Sequence, residues 1–134
     1  MILHVEKMMT LEHVQETFSR HYPHLKLVYF IDRNKDNRLH ADERIQNFKM
    51  SIGSIREITY DGYMQIEPEM SVRQVEQAFW NTFGLEVQIF RKSGNKWLMT
   101  NSSDLWTLKE QNSKAEEMDL EIEKSEGPDY KEQD

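Results

Sequence analysis

The chain has 134 residues, no cysteine and a formal net charge of −7, most of it contributed by the segment from Gln111 to Asp134. This length suits one domain, the lack of cysteine excludes disulfides, thiolate metal sites and cysteine nucleophiles, and the acidic balance disfavours tight binding to nucleic-acid phosphates. The N-terminal MILHVEKMM lacks the apolar run of a signal peptide and no stretch is long enough to span a membrane, so we expect a cytoplasmic protein without a membrane partner.

Residues 2–31 and 62–91 are similar to each other and predict a duplicated folding unit. We call them the first and the second repeat. The matched positions include Glu6 with Glu67, Met9 with Met70, Val14 with Val75, Phe18 with Phe79, Leu25 with Leu85, and Phe30 with Phe90.

Each repeat has the pattern strand, helix, strand. Thr10 and Ser71 are suited to cap the helices, and Gln74 completes a capping box with Ser71. Pro23 and Gly84 end the helices, and the strand-like LKLVYFI and LEVQIF follow. The helical apolar stripes, which we expect in the core, are Leu11, Val14, Phe18 and Tyr22 in one repeat and Val72, Val75, Phe79 and Phe83 in the other.

Residues 32–61 connect the repeats and begin with DRNKDNRLHADE, which has the ligand spacing of an EF-hand calcium loop. The calcium ligands would be the side chains of Asp32, Asn34, Asp36 and Glu43 and the carbonyl of Arg38.

Three features of this loop argue against calcium. Asn37 stands where the motif has glycine, and Arg33, Lys35 and Arg38 offset the negative charge. The preceding LKLVYFI is a strand pattern, whereas an EF-hand needs an entering helix. The first interpretation is therefore a solvated connector, followed by a short helix from about Ile52 to Ile58.

The second repeat is followed by a predicted hairpin strand and helix within residues 95–117. Ser93, Gly94 and Asn95 form the turn, and Trp97 and Met99 share one face of the return strand. Thr107 and Glu110 form a capping box that starts a helix over about 108–117. Residues 1–120 are thus one domain, and 121–134 are expected to be an acidic disordered tail.

Two βαβ units with right-handed crossovers predict an α+β, ferredoxin-like two-layer sandwich, with the hairpin strand and C-terminal helix added. The alternative is a β-grasp-like mixed sheet. In both arrangements two helices cover one face of the sheet.

The sequence contains no recognisable catalytic motif, and its five histidines lack zinc-ligand spacing. We therefore predict a non-catalytic domain without a cofactor that acts through a protein partner or self-association. The candidate contacts are Trp80, Trp97 and Trp106. Trp97 and Trp106 are expected to cap the core beneath the last helix, whereas Trp80 leaves the core stripe and is the better candidate for a contact.

Two other functions are alternatives. One is a calcium-binding regulatory domain that uses the loop from Asp32 to Glu43. The other is a nucleic-acid-binding module with an open sheet face, on which Tyr29 or Phe30, Phe90 and Trp97 would stack bases.

The block from Met70 to Asn112, with FGLEVQIFRKSGNKWL and DLWTLKEQN, resembles a family of small uncharacterised bacterial proteins of similar length. The resemblance implies an intracellular bacterial protein. It implies no activity and no set of functional residues.

Overall fold

A computed structural model describes residues 1–31, 43–55 and 61–125, with side chains as far as Glu121. The strands are β1 (Ile2–Val5), β2 (Leu25–Phe30), β3 (Gly62–Gln65), β4 (Glu86–Ser93) and β5 (Lys96–Met99). The helices are α1 (Leu11–His21), α2 (Ile52–Ile55), α3 (Val72–Phe83) and α4 (Leu108–Ser125), with a 3-10 turn over Asn101–Ser103.

The predicted helix ends are confirmed by their hydrogen bonds. Thr10 Oγ1 accepts the His13 N–H at 3.0 Å, and Ser71 and Gln74 form both bonds of a capping box. Gly84 ends α3 with φ 67°, in the left-handed region that glycine adopts without strain. The predicted stripes of α1 and α3 are buried, and Phe18 and Phe79 are fully inaccessible. One core cluster contains residues from both stripes.

The strands form two antiparallel sheets, one of β1 and β3 and one in the order β2-β4-β5. Leu3 lies opposite Met64 in the first sheet, and Val28 lies opposite Gln88 in the second. Each of these pairs joins a residue to its counterpart in the other repeat. The repeats are therefore related by an approximate twofold axis through both sheets, and their strands pair between repeats.

This arrangement corrects the predicted topology. A ferredoxin-like sandwich places both strands of each βαβ unit in a single sheet, but β1 and β2 lie in different sheets here, as do β3 and β4. A mixed sheet is not found either, because every pairing between the described strands is antiparallel. Periodicity shows which side of a strand is buried but does not identify the strand's neighbour, so the same elements fit several topologies.

The repeats also share a contact at the helix starts, beyond the segments that align in sequence. Two helices are joined in each case. The N–H group of the first residue of one helix donates to the carbonyl two residues before the other helix begins, and the N···O distances are 2.8–3.0 Å. The bonds are Leu11 N to Met50 O and Ile52 N to Met9 O between α1 and α2, and Val72 N to Trp106 O and Leu108 N to Met70 O between α3 and α4. By this criterion, α2 and α4 are counterparts.

The C-terminal helix is longer than predicted. It was expected to end near Glu117 but continues to Ser125, so the start of the predicted tail is helical. Eight of the ten residues from Ala115 to Lys124 are Ala, Glu, Met, Leu or Lys, which are good helix formers. Residues 126–134, the rest of the predicted tail, lie outside the described residues, as does the end of the helix predicted over 52–58.

Candidate interaction surface

β5 is an edge strand of the three-stranded sheet. Lys92 N–H donates to His24 O at 2.9 Å, so the backbone groups of Lys92 point from β4 toward β2. Because alternate residues of a strand bond to opposite sides, the backbone groups of Arg91 and Ser93 point toward β5. Their partners on β5 are Leu98 and Lys96. The N–H and C=O groups of the two alternate residues, Trp97 and Met99, therefore point away from β4. No hydrogen bond from the described part of the chain reaches them.

The side chains of β5 are exposed on both faces of the sheet edge. Leu98 is 44% exposed and lies on the same face as its cross-strand partner Arg91. Met99 is 37% exposed and shares the opposite face with Trp97, as predicted. The edge therefore combines open backbone groups with accessible apolar side chains.

Trp106 lies beside Arg91, on the Leu98 face of the edge. The Arg91 guanidinium is 5.8 Å from the Trp106 ring and donates to Gln111 Oε1 at 2.9 Å. Gln111 is buried at the start of α4, and its amide donates to Ser103 O at 2.8 Å. The side chain of Arg91 is thus fixed against Trp106, which is 41% exposed. We call Trp97, Leu98, Met99 and Trp106, with the outward backbone groups, the β5 surface.

The opposite face of the sheet carries a small second cluster of Val28, Phe30 and Phe90, with Trp97 packed against it. Lys26 Nζ lies 4.9 Å from the Trp97 ring, and the Arg44 guanidinium lies 5.0 Å from the Phe90 ring. Partial burial, together with the nearby charge of Arg44, lowers the pKa of Lys26. Cations therefore rest on aromatic rings that are themselves largely buried.

The three predicted contact residues do not form one patch. Trp97 and Trp106 lie on opposite faces of the sheet edge. Trp80 is 45% exposed on α3, eight residues after Val72, whose N–H bonds Trp106 O. Eight residues of helix correspond to about 12 Å. Trp80 is therefore on a different part of the molecule from the β5 surface.

Four of the five predicted calcium ligands, Asp32, Asn34, Asp36 and Arg38, lie outside the described residues. The fifth, Glu43, is buried, and its carbonyl accepts the Ile31 N–H at 3.0 Å. The chain therefore leaves the sheet at Ile31 and returns beside it at Glu43. The element before Ile31 is the strand β2, not a helix. Across the described ranges, no three His, Cys, Asp or Glu residues are grouped to hold a metal ion. Calcium binding by the loop stays a prediction.

The histidines with described contacts have structural partners. His4 stacks on Tyr63, its cross-strand neighbour, with ring centroids 4.4 Å apart. His24 Nε2 lies 3.2 Å from Asp119, while its Nδ1 is buried without a hydrogen-bond partner. Asp119 also lies 3.6 Å from Lys92. These contacts attach α4 to the sheet.

Glu76 is a residue that the sequence analysis missed. Burial raises the pKa of the Glu76 carboxyl to about 7, although a hydrogen bond from Ile89 N–H at 2.9 Å acts in the opposite direction. Its counterpart in the first repeat is Gln15, whose amide donates to Leu27 O. Both side chains satisfy the backbone of a strand, so we assign them a structural role. The sequence does contain a signal for this role, because Gln15 directly follows the buried Val14 and Glu76 directly follows the buried Val75.

Comparison with known proteins does not extend this description. No family model, curated protein or solved structure matches the chain. In the helices that the structure describes, none is long and apolar enough to cross a membrane. The functional assignment therefore rests on the surfaces of the molecule.

Proposed function

We propose that this chain is a non-catalytic protein-interaction domain that binds its partner through the β5 surface. The observation that carries the proposal is the edge strand, which exposes Leu98 and Met99 beside outward-facing backbone groups. Natural sheets usually shield such edges because an open edge recruits another strand. An accessible apolar edge is therefore typical of a binding site.

The composition of the surface also supports binding. Tryptophan and arginine are enriched among residues that dominate binding energy. Here the ring of Trp106 is accessible, and the Arg91 guanidinium lies against it. Because Gln111 fixes Arg91 before any partner arrives, less side-chain entropy is lost on binding.

Neither alternative function has an observation in its favour. Nucleic-acid binding needs exposed rings for base stacking, but Tyr29, Phe30 and Phe90 are at most 6% exposed. Only Trp97 is partly accessible. The calcium alternative depends on Asp32, Asn34, Asp36 and Arg38, which lie outside the described residues.

Site-specific photocrosslinking tests the proposal. A photocrosslinking amino acid is placed at Leu98 in one preparation and at Leu120 in another, and each is irradiated in lysate of the source organism. Leu120 is a matched control, because it is 52% exposed and belongs to α4 rather than to the β5 surface. We expect a discrete protein adduct at position 98 that is lost when Trp106→Ala is added. A second copy of the chain is one adduct that would count.

Equal adducts at both positions would indicate non-specific contact and contradict the proposal, as would no adduct at position 98. Trp80 stays a predicted contact and is tested in parallel. A discrete adduct at position 80 with none at position 98 would place the interaction on α3 instead.

A further inference from the structure

We infer that the β5 surface binds an acidic, extended segment of a partner protein, which adds to the β2-β4-β5 sheet as a fourth strand. This inference rests on the proposed function and specifies the partner's chemistry.

Within the described residues, the chain caps other open backbone groups of this sheet but not those of Trp97 and Met99 on β5. On β2, Ser19 Oγ donates to Leu25 O at 2.9 Å and Ile45 N–H donates to Tyr29 O at 2.9 Å. On β4, beyond the end of β5, Thr100 Oγ1 donates to Ile89 O at 2.7 Å. Gln15 and Glu76 add the bonds described above.

Against this background, the N–H and C=O groups of Trp97 and Met99 are open to an incoming strand. These residues are two positions apart, roughly 7 Å, which is the repeat at which an added strand forms its bonds. The side chains of that strand would alternate between the Met99 face and the face with Leu98 and Trp106. Strand addition therefore uses backbone and side-chain features of the same edge.

The positive charge of the β5 edge also supports an acidic partner. The whole chain carries −7, yet residues 87–103 contain Arg91, Lys92 and Lys96 and no acidic residue. Lys26 adds a fourth cation beside Trp97. Asp119 offsets Lys92, but no carboxylate of the described residues pairs with Lys96. The edge is thus a basic region of an acidic protein, and it is complementary to an acidic segment.

The same charges disfavour a second copy on this edge. Pairing of β5 with itself would place the basic edges of two copies against each other, including both Lys96 side chains. Repulsion between two surfaces of like charge opposes this association. A different partner with the opposite charge avoids this repulsion.

The test uses the full chain and a fluorescent short peptide of alternating glutamate and valine, followed by anisotropy. Two control peptides are a lysine–valine version and a glutamate–valine version N-methylated at every residue, which keeps its charge but has no backbone N–H group on either edge to pair with β5. We expect saturable binding of the first peptide only. Lys96→Glu should weaken it about fivefold, the effect of losing one partly exposed charge contact. Lys114→Glu, the same change at an exposed site on α4, should leave it unchanged.

Met99→Pro removes one outward N–H and should abolish binding while circular dichroism stays native, since proline is tolerated on edge strands. Equal binding of the N-methylated peptide would show attraction without strand addition and overturn the inference. So would binding of the lysine peptide, or no binding at all. Lys96-dependent binding of single-stranded DNA in place of the peptide would assign the face to nucleic acid.

Failure here is distinct from failure of the proposed function. A specific crosslink at position 98 without acidic-peptide binding leaves the interaction domain in place and removes the acidic strand. Concentration-dependent dimers that disappear in Met99→Pro would replace the acidic partner with a second copy of the chain.

Discussion

The two repeats share a core but differ at the hairpin that follows their second strand. In the second repeat, β4 and β5 are joined by a two-residue turn at Gly94, with φ 63°. In the first repeat, the chain leaves β2 at Ile31 and returns only at Glu43. The helix that follows β5, α4, has 18 residues, and α2 is described over Ile52–Ile55. The shared part determines the fold, and the proposed binding surface lies in the part that differs.

One exposed ion pair has opposite polarity at matched positions of α1 and α3. Glu12 on α1 pairs with Lys49 at 2.6 Å, and the counterpart of Glu12 on α3 is Arg73, which bonds Asp104 through two nitrogens. The acidic and basic partners are thus exchanged between helix and loop. Exposed ion pairs contribute little to stability, so either polarity is compatible with the same fold.

The largest expected effect concerns the part that the repeats share. Phe18→Ala and Phe79→Ala should each lower the free energy of unfolding by about 3–5 kcal/mol, because both rings are fully buried in one core. Denaturant titration measures both values. Leu120→Ala, at a half-exposed site on α4, is the control and should change stability by less than about 0.5 kcal/mol. A large cost at only one phenylalanine would show that the repeats do not contribute equally to the core.

A second prediction concerns Glu76, where the first repeat has Gln15. Because the pKa of Glu76 in the folded state is raised to about 7 from its ordinary value of 4.5, the folded state holds the proton more tightly. The stability that this group contributes is complete below pH 4.5 and is lost as the pH rises to about 7.

Glu76→Gln keeps an acceptor for Ile89 N–H and has no charge. Relative to the unchanged chain, it should be similar in stability at pH 4.5 and more stable at pH 8 by roughly 2–3 kcal/mol. Urea titrations at both pH values measure this difference. Glu116→Gln, at an exposed site on α4, is the control. The same stability difference at both pH values would contradict the prediction.

A smaller effect is expected at the helix caps. Thr10→Ala and Ser71→Ala should each cost about 1 kcal/mol, because each hydroxyl accepts an N–H group of the first turn. The costs should be similar, because the second bond of the capping box, from Ser71 N–H to Gln74 Oε1, uses the backbone and is retained in Ser71→Ala. Thermal unfolding compares both variants with Ser102→Ala, a change at an exposed position. Equal melting temperatures for all three would refute a capping contribution.

The smallest expected effect concerns the loop found only in the first repeat. We expect calorimetric titration with calcium to give no saturable heat, since Arg33, Lys35 and Arg38 oppose the acidic ligands and a strand enters the loop. A single saturable site that disappears in Asp32→Ala and in Glu43→Ala would establish calcium binding. It would also give the first repeat a function that the second lacks.

Local features of the fold could be read from the sequence. The caps at Thr10 and Ser71, the stop at Gly84 and the turn at Gly94 were all predicted, because each depends on residues close in the chain. The exposure of Trp80 followed from its position next to Phe79 on a helix. The length of α4 was underestimated because the dense charge after Glu121 was taken as a sign of disorder.

By itself, the sequence determined the helices, the strands and the buried stripes, because helical and strand periodicities and capping depend on neighbouring residues. Only the tertiary structure decided that Leu3 pairs with Met64 and Val28 with Gln88, since a strand pattern is compatible with several partners. The tertiary structure also decided which edge is open. Side chains from α1 and α3 bond backbone groups of β2 and β4, whereas no described side chain bonds the backbone of Trp97 or Met99 on β5.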